Sequence, residues 1–178
     1  MTLFHPRQLS RLLAVALLSA CAASWAQGLY GLPGTWRDDQ GKPFRWDALK
    51  GSHSVVNMAY GACRRVCSAS LRMMGQLQGL ADARRVDLNF IVVGIDPELD
   101  HPADWAAYRV DHKLARRNWQ FLTGDRASTE RLAARLGVRY WHYGDHVMHD
   151  FRLSLLGPDG RLVATLRAPD EDLAMLLP

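Results

Sequence analysis

The sequence predicts an α/β sandwich in which a central mixed β-sheet is flanked by helices. Extended segments alternate with helical patterns along most of the chain, and this alternation is typical of parallel strands joined by helices. The clearest strand, at residues 86–95, is apolar almost throughout, as expected for a strand covered on both faces. Two short extended segments flank a Gly-Pro-Asp-Gly turn near the end, and they predict an antiparallel hairpin.

The composition is that of an ordinary globular protein. The chain has 178 residues, of which 48% are hydrophobic and 22% charged, and its formal net charge is +4. Two of those positive charges belong to Arg7 and Arg11, near the N-terminus. The remaining charge is too weak to indicate a nucleic-acid partner, and no basic stripe is interleaved with aromatic residues.

Residues 1–26 are typical of an export leader, followed by one domain at 27–178. Basic residues precede an apolar run at 12–18, and small residues follow. The run is shorter than the roughly 18–20 apolar residues that a spanning helix needs. Cleavage before Gln27, lipidation of Cys21 within Leu-Ser-Ala-Cys, and retention as an uncleaved anchor remain alternatives. Each places the domain in the periplasm, either free or associated with the membrane.

The first half of the domain is expected to begin with a Gly-rich linker at 27–34. Two short extended pieces should then follow within 35–44, around a turn at 38–41. Residues 53–60 predict a buried strand that leads into a helix. The spacing of the helix predicts a core-facing set made of Ala69, Met73, Leu77 and Leu80.

The second half of the domain begins after the strand at 86–95. Pro102 suits the first turn of a helix, because the missing N–H costs little there. Trp105, Tyr108 and His112 should lie on one face of that helix. The remaining predicted elements are a strand at 119–122, a helix capped by Ser128 and closed by Gly137, strands at 151–156 and 161–166, and an amphipathic helix at 169–177.

Cys63 and Cys67 lie where the buried strand at 53–60 gives way to a helix. A helix N-terminus favours a thiolate, and Arg64 and Arg65 add positive charge. The four-residue offset puts both sulfurs on one side of the first turn, where they could form a disulfide or hold a soft metal ion. A purely structural disulfide is the weaker interpretation, because so small a loop constrains little of the unfolded chain.

Two thiolates need further donors to hold a metal ion. The segment before the final hairpin is rich in donors, and composition alone does not choose among them: His142, His146, Met148 and His149. His53, His101 and His112 are expected to be structural or exposed rather than metal ligands.

Five segments in order resemble the Sco/SenC family. A strand leads into C-x-x-x-C; residues 93–102 resemble V-S-V-D-P-E-R-D-T-P; and residues 119–124 match W-x-x-L-T-G. Residues 132–140 follow in the corresponding place, and residues 148–160 resemble D-H-S-x-x-x-Y-L-x-D-P-x-G.

The resemblance implies a thioredoxin-like fold and the delivery of copper to the CuA site of a respiratory oxidase. It implies that Cys63, Cys67 and His149 are the metal ligands and that Asp96 lies near them. The donors suit Cu(I) or Cu(II), although zinc would accept the same three.

The chain departs from the family pattern near the expected site. Arg64 and Ser68 stand where the family usually has proline, Leu99 and His101 replace an arginine and a threonine, and Met148 replaces the aspartate before the histidine. These changes leave the three donors intact but put the usual partner surface in doubt.

Two further functions fit the same cysteines. A thiol–disulfide oxidoreductase would use Cys63 and Cys67 as catalytic residues, through a mixed disulfide, with no need of His149. A binding module with a passive disulfide would need neither the thiolates nor the imidazole.

Overall fold

The computed structural model describes residues 28–61, 67–144 and 146–178, with only the backbone described at residues 67 and 68. The predicted leader at 1–26 and Cys63 therefore lie outside the described residues. Within them, no helix is long and apolar enough to cross a membrane. The predicted α/β class is confirmed: a mixed seven-stranded sheet is flanked by helices, and a separate two-stranded sheet stands beside it.

The described strands are numbered in chain order: β1 Trp36–Asp38, β2 Pro43–Phe44, β3 His53–Ala59, β4 Leu88–Gly94, β5 Trp119–Gly124, β6 Tyr140–Tyr143, β7 His146–His149, β8 Leu153–Leu156 and β9 Leu162–Leu166. The described α-helices are α1 Cys67–Arg84, α2 Pro102–Asp111 and α3 Arg126–Leu136. Short 3-10 helices cover Leu29–Gly31, Trp46–Leu49 and Leu173–Leu176.

The large sheet has the strand order β2-β1-β5-β4-β3-β8-β9. Its centre is parallel, because β4 pairs in parallel with both β3 and β5. The outer pairs are antiparallel. Six of the seven residues of β4 are buried, as the uninterrupted apolar run predicts. The carboxyl ends of β3, β4 and β5 therefore share one edge of the sheet, here called the carboxyl edge.

Helix α1 packs on the sheet through a face slightly different from the predicted one. Leu77 is fully buried and Met73 nearly so, as expected, but Leu80 is 36% exposed. The buried face is centred on Met74, Leu77 and Ala81, and Leu80 lies at its margin. The prediction for Leu80 was wrong because spacing alone does not fix the centre of a helical face.

The N-cap of helix α3 lies three residues before the predicted one. Asp125 is the N-cap, and its carboxylate accepts a hydrogen bond of 2.7 Å from the Ser128 backbone N–H. The hydroxyl of Ser128 instead accepts a bond from the Thr35 backbone N–H. The predicted end is confirmed, since Gly137 has φ +69°, a left-handed conformation that favours glycine.

The two ends of the described chain pack against the core. Leu29, in the predicted linker, is 2% exposed, so the linker prediction was wrong at that point. The predicted helix at 169–177 is reduced to the 3-10 turn Leu173–Leu176, which buries Leu176. The carboxylate of Glu171 accepts bonds from the backbone N–H groups of Arg167 and Ala168 and so fixes a turn where a longer helix was expected.

Candidate metal centre

The predicted cysteine segment begins and ends at the carboxyl edge. Strand β3 ends at Ala59, and α1 begins at Cys67, so the segment joins the end of a central strand to a helix N-terminus, as predicted. Cys63 lies outside the described residues, and so does the side chain of Cys67. Tyr60 and Gly61, which directly follow β3, are described and show where the segment starts.

The buried carboxylate of Asp100 holds the start of this segment. Its Oδ1 accepts a bond of 2.7 Å from the Gly61 backbone N–H, and its Oδ2 accepts one of 2.9 Å from the Asp96 backbone N–H. The backbone oxygen of Asp100 accepts a bond of 2.7 Å from the Thr123 hydroxyl at the end of β5. Asp100 thus joins the three strand ends that form this part of the carboxyl edge.

The environment of Asp100 opposes its ionisation. The side chain is 1% exposed, and burial raises its pKa from 3.8 to about 6, with a smaller contribution from the negative charge of Asp96. Backbone hydrogen bonds from Asp96, Gly61 and Ile95 act in the opposite direction and lower the pKa. Gly61 leaves room for this carboxylate, because a Cβ there would lie 2.8 Å from Oδ1 of Asp100.

The predicted donor cluster forms a second hairpin, β6–β7, that the sequence did not predict. Tyr140 pairs with His149, and His142 pairs with Val147. Since side chains alternate along a strand, these four residues share one face, here called the inner face. Val147 is 4% exposed, which shows that the inner face is turned toward the protein.

The inner face of the hairpin contacts the loop that follows β4. Nε2 of His142 lies 3.5 Å from Oδ2 of Asp96, whose side chain is 8% exposed. The family resemblance implied that Asp96 lies near the metal ligands, and the structure shows Asp96 in contact with His142. The other oxygen of Asp96 accepts a bond of 3.0 Å from the Glu98 backbone N–H, which orients the carboxylate.

His149, the predicted imidazole ligand, ends β7. Its ring is partly buried, and Nδ1 lies 3.0 Å from the backbone oxygen of Asp150. A carbonyl oxygen can only accept, so Nδ1 carries the proton and the lone pair of the neutral ring is on Nε2. This is the arrangement in which a histidine is oriented as a metal ligand by a backbone carbonyl.

The base of the hairpin is closed by charged groups. Asp150 receives a bond of 2.9 Å from Nε of Arg139, and its backbone N–H donates to the Arg139 oxygen. The hydrogen bond from Arg139 lowers the pKa of Asp150. Both contacts fix the register between the residue before β6 and the residue after His149.

The described residues bring one of the three predicted ligands to a defined place. Among the side chains that the structure describes, no three of histidine, cysteine, aspartate or glutamate form a group that could hold a metal ion. A metal site formed by Cys63, Cys67 and His149 therefore stays a prediction. Asp100 was missed as a positioning residue, although its match to the second aspartate of the family segment at 93–102 was a sequence signal.

The family model for SCO1/SenC matches residues 28–176, which is most of the chain. The chain therefore belongs to the SCO1/SenC family, and the predicted resemblance is confirmed.

Two relatives match about three quarters of the chain. The SCO1 protein homolog of Bacillus subtilis is 28% identical over 135 residues, which cover 74% of this chain and 70% of that protein. A protein of Stutzerimonas stutzeri, whose name proposes copper binding, is 31% identical over 138 residues, which cover 74% of this chain and 66% of that protein.

Solved structures share the fold. Arabidopsis thaliana ScoI with copper bound has a TM-score of 0.71 at 21% identity, covering 83% of this chain and 92% of that one. A SCO1/SenC family lipoprotein from Bacillus anthracis has a TM-score of 0.70 at 24% identity, covering 78% and 84%. The fold is therefore thioredoxin-like, as the resemblance implied.

Proposed function

We propose that this protein is a copper metallochaperone that carries its ion between Sγ of Cys63, Sγ of Cys67 and Nε2 of His149. The observation that supports this most is the contact between His142 and Asp96. That contact ties the hairpin carrying His149 to the carboxyl edge, where the chain enters the cysteine segment.

The donor chemistry fits copper. Thiolates are soft ligands that favour Cu(I), and two thiolates with an imidazole also suit Cu(II) when a further donor completes the site. The carbonyl of Asp150 orients His149 and leaves the lone pair on Nε2, as a metal ligand requires. Arabidopsis thaliana ScoI, which shares this fold, has been solved with copper bound.

The proposed recipient is the CuA site of a respiratory oxidase or another copper-accepting protein. The proposed location is the periplasm, reached through the leader at 1–26, with the domain at 27–178 either free or anchored to the membrane by lipid or by an uncleaved leader. Family membership and the order of basic, apolar and small residues support these assignments.

The ligand assignment is tested by titrating the reduced protein with less than one equivalent of copper in the presence of a competing chelator. We expect His149→Ala to weaken copper binding at least about tenfold, or about 1.4 kcal/mol. His53→Ala is the matched control, because His53 begins β3 and so lies at the opposite edge of the sheet. Wild-type affinity in His149→Ala would remove His149 from the site.

A thiol–disulfide oxidoreductase is the second candidate, favoured by the position of Cys67 as the first residue of α1. A helix N-terminus stabilises a thiolate, so either cysteine could attack a client disulfide and be released by the other. Reductase activity that survives His149→Ala, together with a mixed disulfide trapped in Cys67→Ser, would support this function over copper delivery.

A further inference from the structure

The β6–β7 hairpin has an outer face that the proposed copper site does not use. Alternation along the two strands places Trp141, Tyr143, His146 and Met148 on the side opposite His149. All four are exposed: Trp141 by 51%, Tyr143 by 75% and Met148 by 44%, and His146 is exposed as well. On the inner face Val147 is 4% exposed, whereas none of the four outer residues is buried.

Trp141 differs from the other tryptophans in the described part of the chain. Each of the other four is at most 3% exposed: Trp36, Trp46, Trp105 and Trp119. Packing in the core explains those four but does not explain an indole that is half exposed on a two-stranded sheet. Its exposure places an aromatic face in solvent beside soft donor atoms.

The register brings the outer side chains close to one another. Trp141 and Met148 are direct cross-strand partners, a relationship that puts Cβ atoms about 5 Å apart. His146 lies two residues before Met148 on the same strand and face, about 7 Å along it. An imidazole and a thioether at that spacing can converge on one small ion beside the indole.

These three groups favour a soft monovalent cation. A thioether binds Cu(I) in preference to harder ions, and imidazole is also a good copper ligand. The face of an indole attracts a cation within about 6 Å of the ring centroid. A zinc or magnesium ion gains little from this pair of donors, because neither ion takes a thioether readily.

We propose that the outer face of the hairpin is a second, weaker site for Cu(I), formed by the imidazole of His146 and the thioether of Met148 with the indole of Trp141 against the bound ion. The site uses no cysteine, and binding requires no change in oxidation state. It rests on the proposed function only for the identity of the physiological ion, since its geometry is independent of Cys63, Cys67 and His149.

The test removes every thiol and follows the outer face directly. The full chain carrying Cys21→Ser, Cys63→Ser and Cys67→Ser is titrated with Ag(I), a redox-inert analogue of Cu(I), in chloride-free buffer, and then with Cu(I) without oxygen. The readouts are the indole N–H signal of Trp141, assigned by its loss in Trp141→Phe, and the methyl signal of Met148, assigned by its loss in Met148→Leu. Unchanged indole signals from Trp105 and Trp119 report that the core remains folded.

We expect both signals to shift and to saturate at one equivalent of Ag(I). Met148→Leu keeps the apolar side chain but removes the sulfur, and it should weaken binding at least about tenfold, as should His146→Gln. Met175→Leu is the matched control, since Met175 is also exposed, by 55%, but lies on the C-terminal 3-10 turn. It should bind as the parent does.

Equal Ag(I) affinity in Met148→Leu and the parent, or saturation without a shift of the Trp141 signal, would overturn the proposal. Because the parent in this experiment has no thiols, a negative result leaves the cysteine site untouched. Conversely, loss of copper binding through His149→Ala leaves this site intact, so the two proposals fail separately.

Discussion

The two hairpins that follow each other near the C-terminus, β6–β7 and β8–β9, are held in opposite ways. Strand β8 joins the large sheet beside β3, and all four of its residues are at most 1% exposed. Hairpin β6–β7 forms a sheet of its own, and Val147 is its only fully buried residue among those described. Strand β8 therefore belongs to the core, whereas both strands of β6–β7 lie outside the large sheet.

The difference in burial between the two hairpins indicates that one contributes to stability and the other carries a proposed ligand. Burial of apolar surface is the main source of folding free energy, so β8 contributes to the scaffold. Elements that bind and release ligands are drawn from the less stable parts of a protein. His149, the proposed ligand, lies on the hairpin with little buried surface, where a side chain can move without disturbing the core.

The largest expected effect is on the scaffold hairpin. Leu155→Ala removes a side chain that is 1% exposed, and we expect it to lower the free energy of unfolding by about 2–5 kcal/mol. Val147→Ala removes the buried side chain of the other hairpin and should cost roughly 1–2 kcal/mol. Urea unfolding followed by circular dichroism measures both, and equal losses would contradict the distinction between the hairpins.

The second expected effect is a pH dependence of stability caused by Asp100. Asp100 lies in the loop after β4, which contacts both the start of the cysteine segment and β6–β7. Its pKa is raised to about 6 in the folded protein from an ordinary 3.8, so the folded state binds this proton more tightly than the unfolded state. Its contribution to stability is therefore complete below about pH 4 and is lost as the pH rises through 6. By 1.36 kcal/mol per pKa unit, the loss is about 3 kcal/mol.

Asp100→Asn isolates that contribution, because the amide does not titrate. Urea unfolding at pH 4, 5, 6 and 7 should show the wild type losing stability relative to Asp100→Asn as the pH rises. A difference between the two proteins that is constant over this range would mean that Asp100 titrates normally.

The smallest effect on stability is expected at His142. Its contact with Asp96 is 3.5 Å long and His142 is 57% exposed, so His142→Ala should change the free energy of unfolding by less than about 1 kcal/mol. The same change frees the hairpin from the carboxyl edge, so we expect copper affinity to fall by about threefold to tenfold. Arg45→Ala, which removes a surface ion pair with Asp47, should leave copper affinity unchanged. An unchanged affinity in His142→Ala would show that this contact does not position His149.

Local sequence signals predicted the scaffold well. The apolar runs of β3 and β4, the Gly-Pro-Asp-Gly turn of β8–β9 and the left-handed Gly137 each follow from local chemistry, and the structure confirms them. The cap at Asp125 was missed because Asp125 and Ser128 are both good capping residues, and the sequence does not say which one accepts the first bond.

The candidate site was less accessible to sequence reasoning. The composition of β6–β7 predicts only a cluster of donors, although the glycine at 144, with φ +57°, is a turn signal between its strands. Asp100 was missed because a polar loop residue is usually exposed, and its burial depends on long-range contacts with Gly61 and Thr123. Cys63 and the side chain of Cys67 remain predictions.

The loop at residues 95–101 contacts both parts of the chain that carry the proposed ligands. Asp100 accepts a hydrogen bond from Gly61, just before the cysteine segment. Asp96 contacts His142 on the hairpin that carries His149. One short loop therefore contacts both the chain that enters the cysteine segment and the hairpin that carries His149. Leu99, between Asp96 and Asp100 in that loop, is 53% exposed. A force applied at Leu99 would therefore act on both contacts.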